Sequence, residues 1–466
     1  MILRHLYLAL LLICSTVRGQ ILIQEPVFTP EELQEDFLFL RKKLERNHPN
    51  LYAYNTPKTV HAMFDKMYAG IDSAMTATEF YRYISAMQPT IQDGHNYLLP
   101  SAEKQAFHAE KSLYFPINFI VYNEKLYISQ NLSNDTTLQI GDEICAINDE
   151  NAIDLFRFMV DHQVRDGHNL SYPRWITQTY FRSYYGFLFG FKAQHKLQIK
   201  TATGTLRTLQ VDALPLQTIL NRRKAVVPLR YDRMDYEKGV FWETNKEQNY
   251  TLLTIKTWSK DLMKTEYYQD FKEEINDFAQ VLEESGTQNL IIDIRGNQGG
   301  EGTYGIHLLR YLLPNRFKYF YAVKKLNRYG KLKNTAPSLT ATYKRRPFVF
   351  RGNIYVLTNG GSFSNSGIFA AVIQNKKRGK IIGSETGGNA VLLTGGAGYY
   401  ALPHTQINML KATHQMAITD PITNIGAGVQ PDIEINPELN DILQNNDVVL
   451  KKVISLIGEK RIQMHK

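Results

Sequence analysis

The chain has 466 residues, 43% of them hydrophobic, 21% charged and 12% aromatic, with a formal net charge of +9. That much apolar and aromatic material excludes intrinsic disorder, and the length predicts about two to four domains. Two cysteines, Cys14 and Cys145, exclude a disulfide scaffold.

Residues 1–19 read as an export signal, with Arg4 before the apolar run Leu6 to Ile13, and Val17 and Gly19 before a cut at Gln20. Its removal leaves 447 residues (466 − 19), one cysteine and a net charge of +7, because Arg4 and Arg18 go with it. No later apolar run approaches the length of a membrane span. The mature chain is therefore expected to be periplasmic or extracellular, with no transmembrane span.

Three helical stretches follow. Thr29-Pro30-Glu31-Glu32 combines a capping box with proline at the first helical position, and Leu33, Phe37, Leu40 and Leu44 then share one face. A second helix is predicted from Pro57 to Ile71. Thr76 and Glu79 open a third, through Phe80, Ile84, Met87 and Ile91. Asp93-Gly94-His95 is a turn signal ahead of Tyr97-Leu98-Leu99.

From Phe115 the pattern shortens to strands. Phe115 to Tyr122 and Leu126 to Gln130 flank Asn123-Glu124 as a hairpin, and Lys196 to Ile199 and Thr205 to Val211 form a later pair. Between them, Gly141-Asp142-Glu143-Ile144-Cys145-Ala146-Ile147-Asn148 resembles the Gly-Asp turn of PDZ domains, followed by a helix from Ile153 to Val160. The aromatic stretch Asp166 to Tyr185 would be an insertion in that pattern.

The last half alternates strands and helices, the signature of an α/β layer. Strands are predicted at Thr251 to Ile255, Leu290 to Ile294, Ile354 to Leu357 and from Lys380, with helices at Tyr267 to Glu284, Ile306 to Leu313 and Gly367 to Gln374. Residues 302–384 carry sixteen Lys or Arg and no Asp or Glu. Such a stretch either attracts an acidic partner or is neutralised by acids elsewhere in the fold. Nucleic acid is not expected, because no reading motif is present.

Gly300-Glu301-Gly302-Thr303-Tyr304-Gly305 fits a dinucleotide fingerprint, but no acid follows at about twenty residues to hold a ribose, so no such cofactor is expected. No histidine pair has metal-ligand helical spacing with a glutamate between, and no protein-built metal site is expected. Serine chemistry remains. Gly360-Gly361-Ser362-Phe363-Ser364-Asn365-Ser366-Gly367 lies between a strand and an apolar helix, where helix amides can stabilise an oxyanion. Serine and asparagine are also ordinary N-caps, so spacing alone leaves both uses open.

Four separated strings together resemble the C-terminal processing (tail-specific) and tricorn-like serine peptidases. They are Asn47 to Tyr52 with Asp93-Gly94-His95, the PDZ-like turn, Leu290 to Gly300, and Thr358 through Ser364 to Gly388; Gly428-Val429-Gln430-Pro431-Asp432 closes the set. The resemblance implies a multidomain α/β fold: a helical cap at 20–112, a PDZ-like domain at 113–215, a crotonase-like peptidase core at 216–437 and a helical tail at 438–466. It implies Ser364 as nucleophile and His95 as base, with an oxyanion hole from the Asn365 amide and the Gly299–Gly300 turn. The expected activity is that of an exported serine endopeptidase acting on extended polypeptide, with substrate tails docked on the PDZ-like domain. The alternative is an inactive ligand- or peptide-binding protein on the same scaffold.

The chain also departs from the family. Asn389 stands 25 residues after Ser364, where the tail-processing branch has its lysine, so the resemblance points to His95 as in the tricorn-like branch. That branch has serine before the histidine, where this chain has Gly94. Its orienting acid near the closing motif is missing around Asn424 to Ala427, leaving Asp93, Asp420 and Glu385 as candidates. Gly367 replaces a glutamate that often follows the serine.

Overall fold

The first capping box forms: the Glu32 amide donates to Thr29 Oγ1 at 3.3 Å and the Thr29 amide to Glu32 Oε2 at 2.8 Å, opening helix α1 (Pro30–Asn47). Helices α2 (Pro57–Ala69) and α3 (Ala77–Ser85) follow, the latter behind the Thr76–Glu79 box. The structure is a computed structural model and describes residues 25–225, 238–396, 398–419 and 425–464. The expected signal at 1–19 and Asp420 lie outside the described residues.

Strands β1 (Ile117–Tyr122), β2 (Lys125–Asn131), β3 (Glu143–Ile147), β4 (Gln194–Lys200) and β5 (Leu206–Asp212) form one antiparallel sheet in the order β5-β4-β3-β2-β1. Asn123 and Glu124 both take positive φ, 46° and 55°, as a tight two-residue hairpin turn requires. Helix α4 (Ala152–Asp161) packs on this sheet, and the aromatic insertion is helical, as α5 (Ser171–Thr179) and α6 (Phe181–Phe189). A single hydrophobic cluster takes in residues from Leu33 to Val211 together with Phe363, Leu402, Ile407 and Met409, so α1–α3 and this sheet share a core.

The second sheet has the order β6 (Val240–Asn245), β7 (Tyr250–Ile255), β8 (Asn289–Asp293), β9 (Asn353–Thr358), β10 (Lys380–Gly383) and β11 (Ile433–Glu434). The β6–β7 pair is antiparallel and every later pair parallel. Helices α7 (Phe271–Ser285), α8 (Gly302–Leu312) and α9 (Asn365–Asn375) make the parallel crossovers. Every residue of β8 is buried because the sheet is covered on both faces. Leu290 and Ile292 pack with α7–α9, while Ile291 faces helix α10 (Val448–Met464).

Helix α7 begins at Phe271 and not at the predicted Tyr267, because the Asp270 carboxylate caps the amides of Lys272 at 2.9 Å and Glu273 at 3.2 Å. Gly286, at φ 66°, ends it. Among the described residues, Lys380–Asp432 at 3.5 Å is the ion pair made by the basic stretch 302–384. Arg378 instead donates to the carbonyls of Leu312, Phe350 and Gly352 at 2.6–2.9 Å.

Two long-range connections set up the site. The parallel β8–β9 register pairs Asp293 with Leu357, which brings the turns after both strands to one edge of the sheet. Tyr97–Leu99 pairs antiparallel with Asn408–Lys411, tying the His95 turn to the late chain. The buried Asp36 carboxylate adds to that tie by accepting from the amides of His404 and Thr405 at 2.8 and 2.9 Å.

Candidate active site

Strand β9 leads through residues 359–364 into α9, and the three serines of that turn have different environments. Ser362 Oγ donates to the Ile294 carbonyl at 2.8 Å, and Ser366 Oγ accepts from the Trp258 indole N–H at 2.8 Å. Both are buried scaffold contacts. Ser364 makes no capping hydrogen bond to the helix it precedes; its Oγ lies 3.0 Å from His95 Nε2, a residue 269 positions away.

The Ser364 backbone is held at φ 52°, ψ −119°, a sparsely populated region for a side-chain-bearing residue that costs about 1–3 kcal/mol. The strain is supported by the opposite turn. Gly299 sits at φ +100°, and a Cβ there would lie 2.7 Å from Ser364 Cβ and 2.8 Å from the Asn365 amide nitrogen. Only glycine admits this approach. The turns are cross-linked by Gly296 N–H to Asn359 Oδ1 at 2.8 Å and Phe363 N–H to the Asn297 carbonyl at 3.1 Å. The Gly299 amide donates to Asn297 Oδ1 at 3.0 Å. The amides of Asn365 and Gly300 make no hydrogen bond among the described residues.

The His95 ring stacks on Phe363, with centroids 4.8 Å apart, and Phe363 stacks in turn on Tyr172 of α5 at 3.9 Å. Tyr172 reaches back to the glycine turn by donating to Gln298 Oε1 at 3.1 Å. Burial pushes the His95 pKa below its ordinary value, with the Asp93 charge opposing, so the ring is neutral and suited to take a proton.

Two carboxylates stand behind the histidine. Asp93 Oδ1 accepts from the His95 amide at 2.8 Å and from Thr394 Oγ1 at 2.9 Å, and its Oδ2 lies 3.4 Å from His48 Nε2. Burial pushes the Asp93 carboxyl up, but the His48 charge and hydrogen bond, with His95 adding, bring it below the usual range. Asp166 Oδ1 accepts from the Gly94 amide at 2.8 Å and Oδ2 from the Asn389 amide at 3.1 Å. Burial, then the charge of Asp93, raise its pKa to about 7. Asp93, Asp166 and His95 each bring one polar atom within 4.8 Å of the others. The sequence reading missed Asp166 because it lies in an insertion, and no motif marks a carboxylate placed by tertiary contact.

The family model for Peptidase family S41 matches residues 249–435, which hold Ser364, Asn365, Gly299 and Gly300. Residues 249–435 are a peptidase family S41 domain. The carboxyl-terminal-processing protease of Synechocystis sp. is 29% identical over 191 residues, 38% of this chain and 41% of that protein's length. The solved structure of mature CPAF covers 92% of this chain and 97% of its own at 15% identity, with a TM-score of 0.68. Its complex with lactacystin superposes with the same score and identity over 98% of that chain. The structural likenesses show that a mixed α/β fold shared with mature CPAF extends over most of this chain, beyond residues 249–435.

Several departures from the family pattern have a local explanation around this S41 domain. A Cβ on Gly94 would lie 2.8 Å from both Asp166 Oδ1 and Phe363 Cζ, so a serine has no room. Asn389 is buried, with its side chain turned to Tyr54 (Nδ2 to the hydroxyl, 2.8 Å) and to the amide of Val391 at 2.9 Å. Glu385 accepts from Ser171 Oγ at 2.9 Å and from the Gly428 amide at 2.8 Å; none of its hydrogen bonds goes to His95. At Gly367 a Cβ would meet only ordinary contacts of 3.6 Å and longer. The glycines of the dinucleotide-like string serve packing: a Cβ on Gly305 would strike the Tyr319 hydroxyl at 2.4 Å, and one on Gly300 the Trp258 backbone at 2.3 Å.

Proposed function

We propose that this protein is an exported serine endopeptidase in which Ser364 is the nucleophile and His95 the general base. The observation that carries this reading is the 3.0 Å Ser364 Oγ to His95 Nε2 contact, made by a neutral ring and a serine not used as a cap. His95 Nε2 takes the Ser364 hydroxyl proton as Oγ bonds to the peptide carbonyl carbon. The negative charge that develops on the carbonyl oxygen is met by the Asn365 amide and the Gly299–Gly300 turn, whose unengaged donor is the Gly300 amide. The proton passes to the leaving amine as the C–N bond breaks. Water then attacks the ester, His95 accepts its proton, and Ser364 regains its hydroxyl.

The β1–β5 sheet with α4 is read as the PDZ-like module. Among the described residues β5 pairs only with β4, and its open edge suits docking of an extended substrate tail as an added strand. Export rests on the sequence of residues 1–19, and no helix among the described residues is long and apolar enough to cross a membrane.

The test is mass-spectrometric cleavage of an unfolded protein by wild type, Ser364→Ala and His95→Ala. Cleavage lost in both variants is the expected result. Loss in Ser364→Ala alone removes His95 as base, and no cleavage by folded wild type returns the binding-protein alternative.

A further inference from the structure

The proton transfer just described needs His95 to carry its own hydrogen on Nδ1, so that Nε2 can accept from Ser364. That Nδ1 is buried and has no hydrogen-bond partner among the described residues. A buried imidazole N–H without an acceptor is costly, and the imidazolium formed during reaction would be costlier still. The ring stacks on Phe363, so no donor or acceptor comes from that side.

We infer that Asp166, held against Asp93, is the positioning carboxylate for His95 and the counter-charge for its protonated form. The inference rests on the Ser364–His95 reading above. Asp166 is 1% exposed, and its two oxygens are fixed by amides from two separate turns, Gly94 next to His95 and Asn389 beyond Ser364. That fixation depends on residue 94 lacking a side chain, since a Cβ would lie 2.8 Å from Asp166 Oδ1. A side chain at position 94 is therefore incompatible with Asp166 in this place. Asp93, 2% exposed, is already committed to the His95 amide, Thr394 and His48.

Two carboxylates this close in a buried site do not both ionise freely, and they titrate as a pair. The charges that act on the pair from outside are those of His48 and His95, while Tyr54 and Tyr97 feel the pair's charge as neutral hydroxyls whose pKa values it raises. Near neutral pH the pair changes from one negative charge to two, and the second charge favours the imidazolium. Carboxylate–imidazole geometry in a substrate-free site commonly tightens only in the reacting complex, which accommodates the present 4.8 Å spread.

The experiment uses the full chain and a fluorophosphonate probe, with labelling mapped to Ser364 by peptide mass spectrometry across pH. Wild-type labelling that requires both Ser364 and His95 upholds the underlying reading; its absence sinks that reading. Given that labelling, Asp166→Asn is expected to slow the reaction by about 10- to 100-fold at about pH 8, the scale of a misplaced catalytic group. It should also move the acidic limb to lower pH, because the carboxyl titration near 7 is removed and only that of His95, held below its ordinary value by burial, remains. A slower plateau with an unmoved limb would make Asp166 merely structural and overturn the inference. NMR titration of the His95 ring in wild type decides the matter even if Asp166→Asn does not fold: two inflections, the second from the carboxyl pair, are expected, and a single one overturns the inference.

Discussion

Replacing Asp447 with asparagine tests how the start of the glycine turn is anchored. Arg295 opens that turn. Its guanidinium donates to Asp293 at 3.0 and 2.7 Å and to Asp447 at 2.9 and 2.8 Å, all three side chains being at most 9% exposed. Asp447 also caps α10 through the Leu450 amide at 3.0 Å, a role asparagine performs equally well. The substitution therefore removes one buried charge and one bidentate pairing while keeping the cap. Breaking a buried pair costs about 3–5 kcal/mol, and the surviving Asp293 places this case near the bottom of that range, at about 3 kcal/mol. That is a factor of about 150 in the unfolding equilibrium. The sign with pH is fixed as well. Burial raises the Asp447 pKa, but the hydrogen bonds and charge of Arg295 outweigh it and leave the folded-state value depressed. The contribution is thus fully present above the unfolded carboxylate value of about 4 and is lost as pH falls through the lower folded value. Urea unfolding of wild type and Asp447→Asn should differ by about 3 kcal/mol at neutral pH and converge in acid. A neutral-pH difference under about 0.5 kcal/mol, the scale of an ordinary surface change, or a gap indifferent to pH, would refute the argument.

Two further substitutions probe the site. Gly94→Ser restores the side chain the family pattern expects, yet its Cβ would lie 2.8 Å from Asp166 and the Phe363 ring; it should cost about 1–3 kcal/mol in urea unfolding and reduce fluorophosphonate labelling, and unchanged stability would show that Asp166 does not fill that space. Gly299→Ala places a Cβ 2.7 Å from Ser364 Cβ at a φ of +100°, so cleavage should fall by about 100-fold or more while the fold persists, and near-wild-type turnover would mean that the glycine turn does not support Ser364.

Local signals were legible in the chain. The boxes at Thr29–Glu32 and Thr76–Glu79 form because a side chain three residues away satisfies an orphan helix amide, a contact that needs no tertiary partner. Period-2 and continuous apolar runs likewise marked the two sheets. The start of α7 was misplaced because Asp270 competes for the first helical amides, a choice that pattern alone does not resolve.

The sequence by itself marked the capped helices, the strand–helix alternation of the last half, the glycine turn and the turn that bears Ser364, but not helices α5 and α6 or the strand at Asn408–Lys411; resemblance added the expected pairing of Ser364 with His95. Tertiary structure decided the different environments of the three serines, since Ser362 and Ser366 are occupied by a carbonyl and an indole from elsewhere in the fold while Ser364 faces His95. It also decided what surrounds the histidine. Asp166 reaches the Gly94 amide across 72 residues and the Asn389 amide across 223. Contacts at that separation are set by how sheets and helices pack, and they leave no periodicity in the chain.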